Sequence, residues 1–382
     1  MSDADFQRYK LAVQAFYDTV LVPKGFNGAI LVAKNGEVIF EKYLGYGNFS
    51  TKDSLDEHSS FHLASVSKTF TAMTILRLAE KSKLSLKDDL SKYFPGFPYP
   101  GITIGMLLSH RSGLPNYMYF MQKLGWDISK YSTNQDVVDY LVKFKPQLAG
   151  TPGTRFTYCN TNYVLLASIT EKVTGYSYAE YLDRTIFKPL GMNDTYVFSL
   201  ADTLSAMPSY DFRGRPEAFN FLDAEYGDKN IYSTPRDLLK WDQALYTNQL
   251  VSQATLDAAY TPYSNEKPGI KNYGYGWRMD NFPDGKKIIF HNGWWHGNNT
   301  SLIRLVMDSA TIIILGNKRN RVIYDSKILA NIFQPYFVRE ELNKLTADDP
   351  LMVKVDTTPV LLKRKKINNS PRPVKKSNTR RK

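Results

Sequence analysis

Strand-like sequence is confined to the two ends of this chain, and the long stretch between them reads as helix and loop. Near the start, GAILVAKNGEVIFEKYLGYGN runs from Gly28, with apolar stretches on either side of Asn35-Gly36. Asn-Gly suits a two-residue hairpin turn, so two antiparallel strands are expected there. Strand character returns only after Gly274, in Gly276 to Met279, Lys287 to His291, Thr300 to Val306 and Thr311 to Leu315. The simplest arrangement joins both ends in one antiparallel sheet. Phe6, Tyr9, Val13, Phe16 and Val20 recur at helical spacing, and a closing helix is expected from about Val322 to Phe337. These terminal helices would cover one face of the sheet.

Between the ends, Leu84 to Tyr260 alternates helical segments with loops marked by Pro95-Gly96, Pro115 and Pro152-Gly153. The expected class is α/β in the α+β sense: an antiparallel sheet of N- and C-terminal strands flanked by helices, with a mostly helical inserted region. Expected boundaries are 1–66 and 268–340 for the sheet domain, 67–267 for the helical domain, and 341–382 for a C-terminal extension. Sites commonly lie at such a junction.

Composition excludes several classes of function. With 382 residues, 43% hydrophobic and 23% charged, the chain can bury a sizeable core. A single cysteine, Cys159, rules out a disulfide framework, and five histidines without H-E-x-x-H leave little for a catalytic zinc. No cofactor and no metal are expected. No apolar run is long enough to span a membrane, and the first twenty residues carry acids and no apolar block, so no signal peptide is read there. The net charge of +12 is local: Leu361 to Lys382 holds ten Lys/Arg and no acid, leaving 12 − 10 = +2 on the rest. That tail is expected to be disordered and to contact anionic surfaces if it contacts anything. No aromatic residue lies among its basic residues, so no specific nucleic-acid partner is expected.

Three short elements carry chemistry. Ser65-Val66-Ser67-Lys68 opens a helix rich in Thr, Ala, Leu and Met. Three residues apart on a helix, Ser65 and Lys68 share a face. A serine hydroxyl is a weak nucleophile until a neighbouring base takes its proton, and an amine can be that base. A second copy of the spacing, Ser264-Asn265-Glu266-Lys267, runs into Pro268-Gly269 with no helix after it and reads as a solvated loop. The second element is Tyr158-Cys159-Asn160, between the Pro152-Gly153-Thr154 turn and an apolar helix from Tyr163. Alternation sends Tyr158 and Asn160 to one side and Cys159 into the core. The third is His291-Asn292-Gly293-Trp294, at the end of the strand Lys287 to Phe290, where a glycine permits close backbone approach.

In this order, these elements resemble those of the penicillin-recognising serine hydrolases of the class C β-lactamase and DD-peptidase type, with their esterase and D-aminopeptidase relatives. The likeness covers Asn27 to Phe337 and includes FHLASVSKTFTAM, GITIGMLLSHRSGLP, PGTRFTYCNTNYVLLASITEKVTG, PLGMNDT, IYSTPRDLLKW and FHNGWWHGNNTSL. It implies a β-lactamase/transpeptidase-like fold and acyl-enzyme chemistry on a small-molecule or peptide substrate, in a periplasmic or extracellular setting. It implies Ser65 as the acylated nucleophile and Lys68 as its partner and base. Tyr158 would be the proton shuttle, and Asn160 would hold Lys68 and the substrate amide. Ser65 and Trp294 would supply the oxyanion-hole N–H groups, and His291, Asn292 and Gly293 would line the substrate-binding strand beside them. Which of Lys68 and Tyr158 takes the serine proton stays open.

One departure matters. Class C β-lactamases usually have Lys-Thr-Gly where this chain has His291-Asn292-Gly293, and a histidine is mostly neutral near pH 7. The expectation therefore favours a peptidase or esterase over an efficient β-lactamase. A penicillin sensor with little turnover is the rival, and the presence of Tyr158 argues against it. Trp294 and Trp295 are expected to crowd the groove and favour an apolar acyl group. His110 is expected to be structural, and His62 and His296 carry no specific signal.

Overall fold

The Asn35-Gly36 turn forms with both residues in the left-handed region, at φ +53° and +76°, as a tight hairpin requires. In the computed structural model, which describes residues 1–337, it joins β1 (Gly28–Lys34) to β2 (Glu37–Leu44). The other strands of the main sheet are β3 (Lys271–Tyr273), β4 (Arg278–Asn281), β5 (Lys287–Trp295), β6 (Asn298–Leu305) and β7 (Ala310–Gly316). Their order is β3-β4-β5-β6-β7-β1-β2, antiparallel throughout. The two ends of the sequence meet at β1 and β7, in register from Gly28↔Gly316 to Lys34↔Ala310.

Alternation gives the sheet two apolar faces. One carries Ile30, Val32, Ile303, Ile312 and Ile314, packed with Tyr9, Val13 and Phe16 of α1 (Asp3–Phe16) and with Val322, Ile323 and Leu329. These last three belong to a 3₁₀ helix, Arg321–Ile332, where an α-helix to Phe337 was expected. The tighter three-residue repeat aligns Ile323, Ser326 and Leu329 on one edge, and Ser326 Oγ lies 3.2 Å from Ser301 Oγ of β6. The opposite face meets the helical part of the chain, including α2 (Ser67–Glu80), α3 (Thr161–Thr174) and α4 (Pro235–Ala244). The extension expected from 341 and the basic tail 361–382 lie outside the described residues.

A second difference shapes the site. Strand β5 does not end at Phe290 but continues to Trp295. Its neighbour β4 pairs only with Lys287 to Phe290. From His291 onward that edge of β5 is unpaired by strand, and the turn carrying Ser65 packs against it.

Candidate active site

Every residue from Phe61 to Leu76 is buried except Ser65, which is half-exposed. Ser65 sits in a single 3₁₀ turn, Ala64–Val66, that leads straight into α2. Ala64 adopts a left-handed φ of +49°, a conformation unfavourable for a residue with a Cβ and one that often marks functional turns. His62 holds it there: its Nδ1 accepts the Ala64 N–H at 3.0 Å and its Nε2 donates to Asn230 Oδ1 at 2.8 Å. That pairing fixes a neutral tautomer, and burial pushes the imidazole down to about 4.

Lys68 lies one turn along α2 and is fully buried. Its Nζ is 3.0 Å from Ser65 Oγ and 2.7 Å from the Asp228 carbonyl. It also stands over the rings of Tyr158 and Tyr163, at 5.1 and 5.6 Å from their centroids. Two distant segments thus meet Ser65 at its lysine, and Tyr158 is half-exposed beside them.

Asn160 is placed differently from expectation. It precedes α3, and its Nδ2 contacts Met118 Sδ at 2.7 Å while Oδ1 is buried with no hydrogen-bond partner. It makes no hydrogen bond to Lys68, whose Nζ meets Ser65 Oγ and the Asp228 carbonyl instead. Cys159 is core, as expected, with burial pushing its thiol up to about 11.

On β5 the pleat separates the four residues of the third element. His291 points toward Tyr158, with ring centroids 6.4 Å apart. Its Nδ1 donates to the Asn292 carbonyl at 2.8 Å, so its Nε2 accepts from Tyr273 Oη at 3.2 Å. Burial, then the nearby Arg278 and Lys68 charges, hold it well below the usual histidine range and therefore neutral. The Asn292 side chain points to the other face, where Oδ1 accepts from Ser301 Oγ at 2.9 Å. It is not available to a substrate, a correction to the expected binding role. Gly293 is required sterically: a Cβ there would lie 2.3 Å from the Leu63 carbonyl oxygen.

The tryptophans do not crowd a groove as expected. Trp295 is buried, donating to Asp223 Oδ1 at 2.6 Å. Trp294 donates from Nε1 to the His296 carbonyl at 3.0 Å and lies against Arg319. What Trp294 can offer is its main chain. A two-residue turn, His296-Gly297, joins Trp295 to Asn298. In such a hairpin the Trp295–Asn298 pair exchanges the ladder bonds, which leaves the Trp294 N–H directed to the open edge facing Ser65.

Two further features border the site. Arg278 is 6% exposed, its guanidinium carbon is 5.1 Å from the centre of the Tyr158 ring, and its Nε has no partner. Beneath Lys68 lies a buried charged segment. Lys229 Nζ donates to Glu225 Oε2 at 3.2 Å and to Tyr117 Oη at 2.7 Å, and Tyr117 Oη donates to Asp228 Oδ2 at 3.1 Å.

The model of the family described as Beta-lactamase matches residues 23–330. This chain belongs to the Beta-lactamase family. Penicillin-binding protein 4* of Bacillus subtilis is 36% identical over 356 residues, 87% of this chain and 78% of that protein. A penicillin-binding protein from Bacillus halodurans superposes with a TM-score of 0.71 at 25% identity, covering 80% of this chain and 95% of its own. The D-amino acid amidase of Ochrobactrum anthropi shares the fold, with a TM-score of 0.67 at 22% identity over 88% of this chain and 99% of its own. These likenesses are consistent with a serine hydrolase acting on amides or esters.

Of the residues singled out in the sequence of this β-lactamase-family chain, Ser65, Lys68, Tyr158, His291, Gly293 and the Trp294 main chain converge. The Asn292 side chain does not. Asp228, Arg278, Tyr273 and the His62 bond to Ala64 went unread. Arg278 had a usable signal, a charge set between the apolar Trp277 and Met279.

Proposed function

We propose that this protein is a serine peptidase that forms an acyl-enzyme at Ser65, on substrates whose scissile amide lies beside a free carboxylate. D-amino-acid peptides of the cell wall are the leading class, and penicillins share the same chemistry. The observation that carries the reading is the 3.0 Å contact between Ser65 Oγ and Lys68 Nζ at the one accessible point of a buried segment.

In the acylation step, the Lys68 amine accepts the Ser65 proton as Oγ bonds to the substrate carbonyl carbon. The carbonyl π electrons pass to its oxygen, which the Ser65 and Trp294 N–H groups receive. Losing one such donor typically costs about 2.7–4 kcal/mol. The tetrahedral centre collapses, the C–N bond breaks, and the proton reaches the amine through Tyr158. Water then repeats the sequence on the ester. Arg278, a cation with no carboxylate partner among the described residues, supports a carboxylate-bearing substrate, since neutral His291 brings no charge. The relatives' names accord with action outside the cytoplasm.

Intact-mass measurement after incubation with penicillin should show one added acyl group, absent in Ser65→Ala. Labelling at any other residue overturns the assignment. Arg278→Gln should raise KM about 10- to 100-fold for a peptide with a free C-terminal carboxylate, the loss of one charged hydrogen bond, and leave a neutral ester unaffected. A single burst of ester cleavage without turnover would favour a sensor instead.

A further inference from the structure

His110 accepts two structural penalties that an ordinary packing residue would avoid. It is fully buried with a left-handed φ of +55°, and its Nε2 has no hydrogen-bond partner. Asparagine or glycine would tolerate that backbone, and an apolar ring would fill the same space without burying an unpaired N–H.

Residue 110 holds the Tyr158 segment at three points, two of them through the imidazole. Its carbonyl accepts the Thr157 N–H at 2.8 Å, and its Nδ1 accepts the Cys159 N–H at 3.2 Å. The N–H groups of the residues on either side of Tyr158 are therefore both bound to His110. Its ring lies against the phenol, with centroids 4.3 Å apart, and Tyr273 and Tyr163 close the enclosure at 4.8 and 5.1 Å. The tautomer follows from its neighbours. Asn162 Oδ1 accepts from Ser112 Oγ at 2.6 Å, so the Asn162 amide nitrogen faces Nδ1, at 3.2 Å. Receiving two N–H donors, Nδ1 carries no proton, and the imidazole N–H is at Nε2.

We propose that His110 is a positioning residue for Tyr158, holding the phenol in the direction that lets its hydroxyl serve the Ser65–Lys68 pair. This rests on the role proposed for Tyr158 above. Steady-state hydrolysis of p-nitrophenyl acetate tests it in His110→Asn, His110→Phe and Tyr158→Phe, and in each His110 variant combined with Tyr158→Phe. Where turnover is too slow, the rate of fluorophosphonate labelling of Ser65 replaces it. His110→Asn keeps an acceptor near Nδ1 and the left-handed backbone, and the final extent of labelling counts folded sites in every variant.

The expected result is a kcat lower by about 10- to 100-fold in His110→Asn, with KM little changed. No further loss should appear when that substitution is added to Tyr158→Phe. An unchanged kcat in His110→Asn beside a crippled Tyr158→Phe overturns the positioning role alone. So does a His110 loss that persists in full on the Tyr158→Phe background, which marks a general structural defect. Full activity in Tyr158→Phe overturns the reading of Tyr158 itself.

Discussion

Ser65-Val66-Ser67-Lys68 and Ser264-Asn265-Glu266-Lys267 have the same spacing in very different surroundings. In the first, the lysine is fully buried and bonded to its serine, and three distant segments close around them. In the second, Asn265, Glu266 and Lys267 are exposed on a loop, and Glu266 pairs with Arg111. The comparison teaches that the spacing carries no chemistry of its own. It becomes a site where a helix start, a strand edge and a buried carbonyl fix the amine against the hydroxyl and leave only the hydroxyl accessible.

Substitution at the two serines is the strongest test of that difference. Ser65→Ala should lower hydrolysis by roughly 10³-fold or more, and Ser264→Ala should leave it unchanged within error; comparable losses would dissolve the distinction. The next effect separates the neighbouring tryptophans. Trp295→Ala should destabilise the fold by about 3–5 kcal/mol in denaturant titration, as loss of a buried ring does. Trp294→Ala should cost less and retain turnover, since its main chain is what faces Ser65. Gly293→Ala comes third. Its Cβ would press on the Leu63 carbonyl, and the overpacking should cost about 1–3 kcal/mol and slow acylation by displacing the strand edge from Ser65.

A further effect is in pH. His62 is held down to about 4 by burial, so it is neutral in the fold at pH values where the unfolded chain is already protonated. The stability tied to this group is present above pH 6.5 and is lost as pH falls through that value toward 4. Unfolding by urea at pH 7, 6 and 5 should show the decline, and His62→Gln should flatten it. On the exposed loop, Lys267→Ala should shift stability by less than about 0.5 kcal/mol.

Much of the fold was readable because its signals are local. Asn35-Gly36 names its own turn, and the short apolar runs of β1 and β7 read as strands. The run of β5 beyond Phe290 was not legible, because the Gly293 that allows it answers to the Leu63 carbonyl, more than two hundred residues away in sequence. Ser65, Lys68 and Tyr158 were legible from neighbouring helix starts. Asp228 was not, since Lys68 uses its carbonyl oxygen, which every residue has. The buried set Glu225, Asp228 and Lys229 reads as an ordinary solvated run, because only the tertiary fold shows each charge its partner. Asn292 was assigned to the site by proximity in a motif, and the pleat sends it to the opposite face.

The pairing of β1 with β7 also governs how the protein must be made. The apolar strand Gly28–Lys34 leaves the ribosome early, and its β7 neighbour follows only after most of the chain has been synthesised. Until then β1 has β2 alone, with an exposed hydrogen-bonding edge able to join a foreign strand. Completion of the sheet is therefore a late, long-range event in the life of each molecule, and the nascent chain is most vulnerable to aggregation before residue 316 emerges.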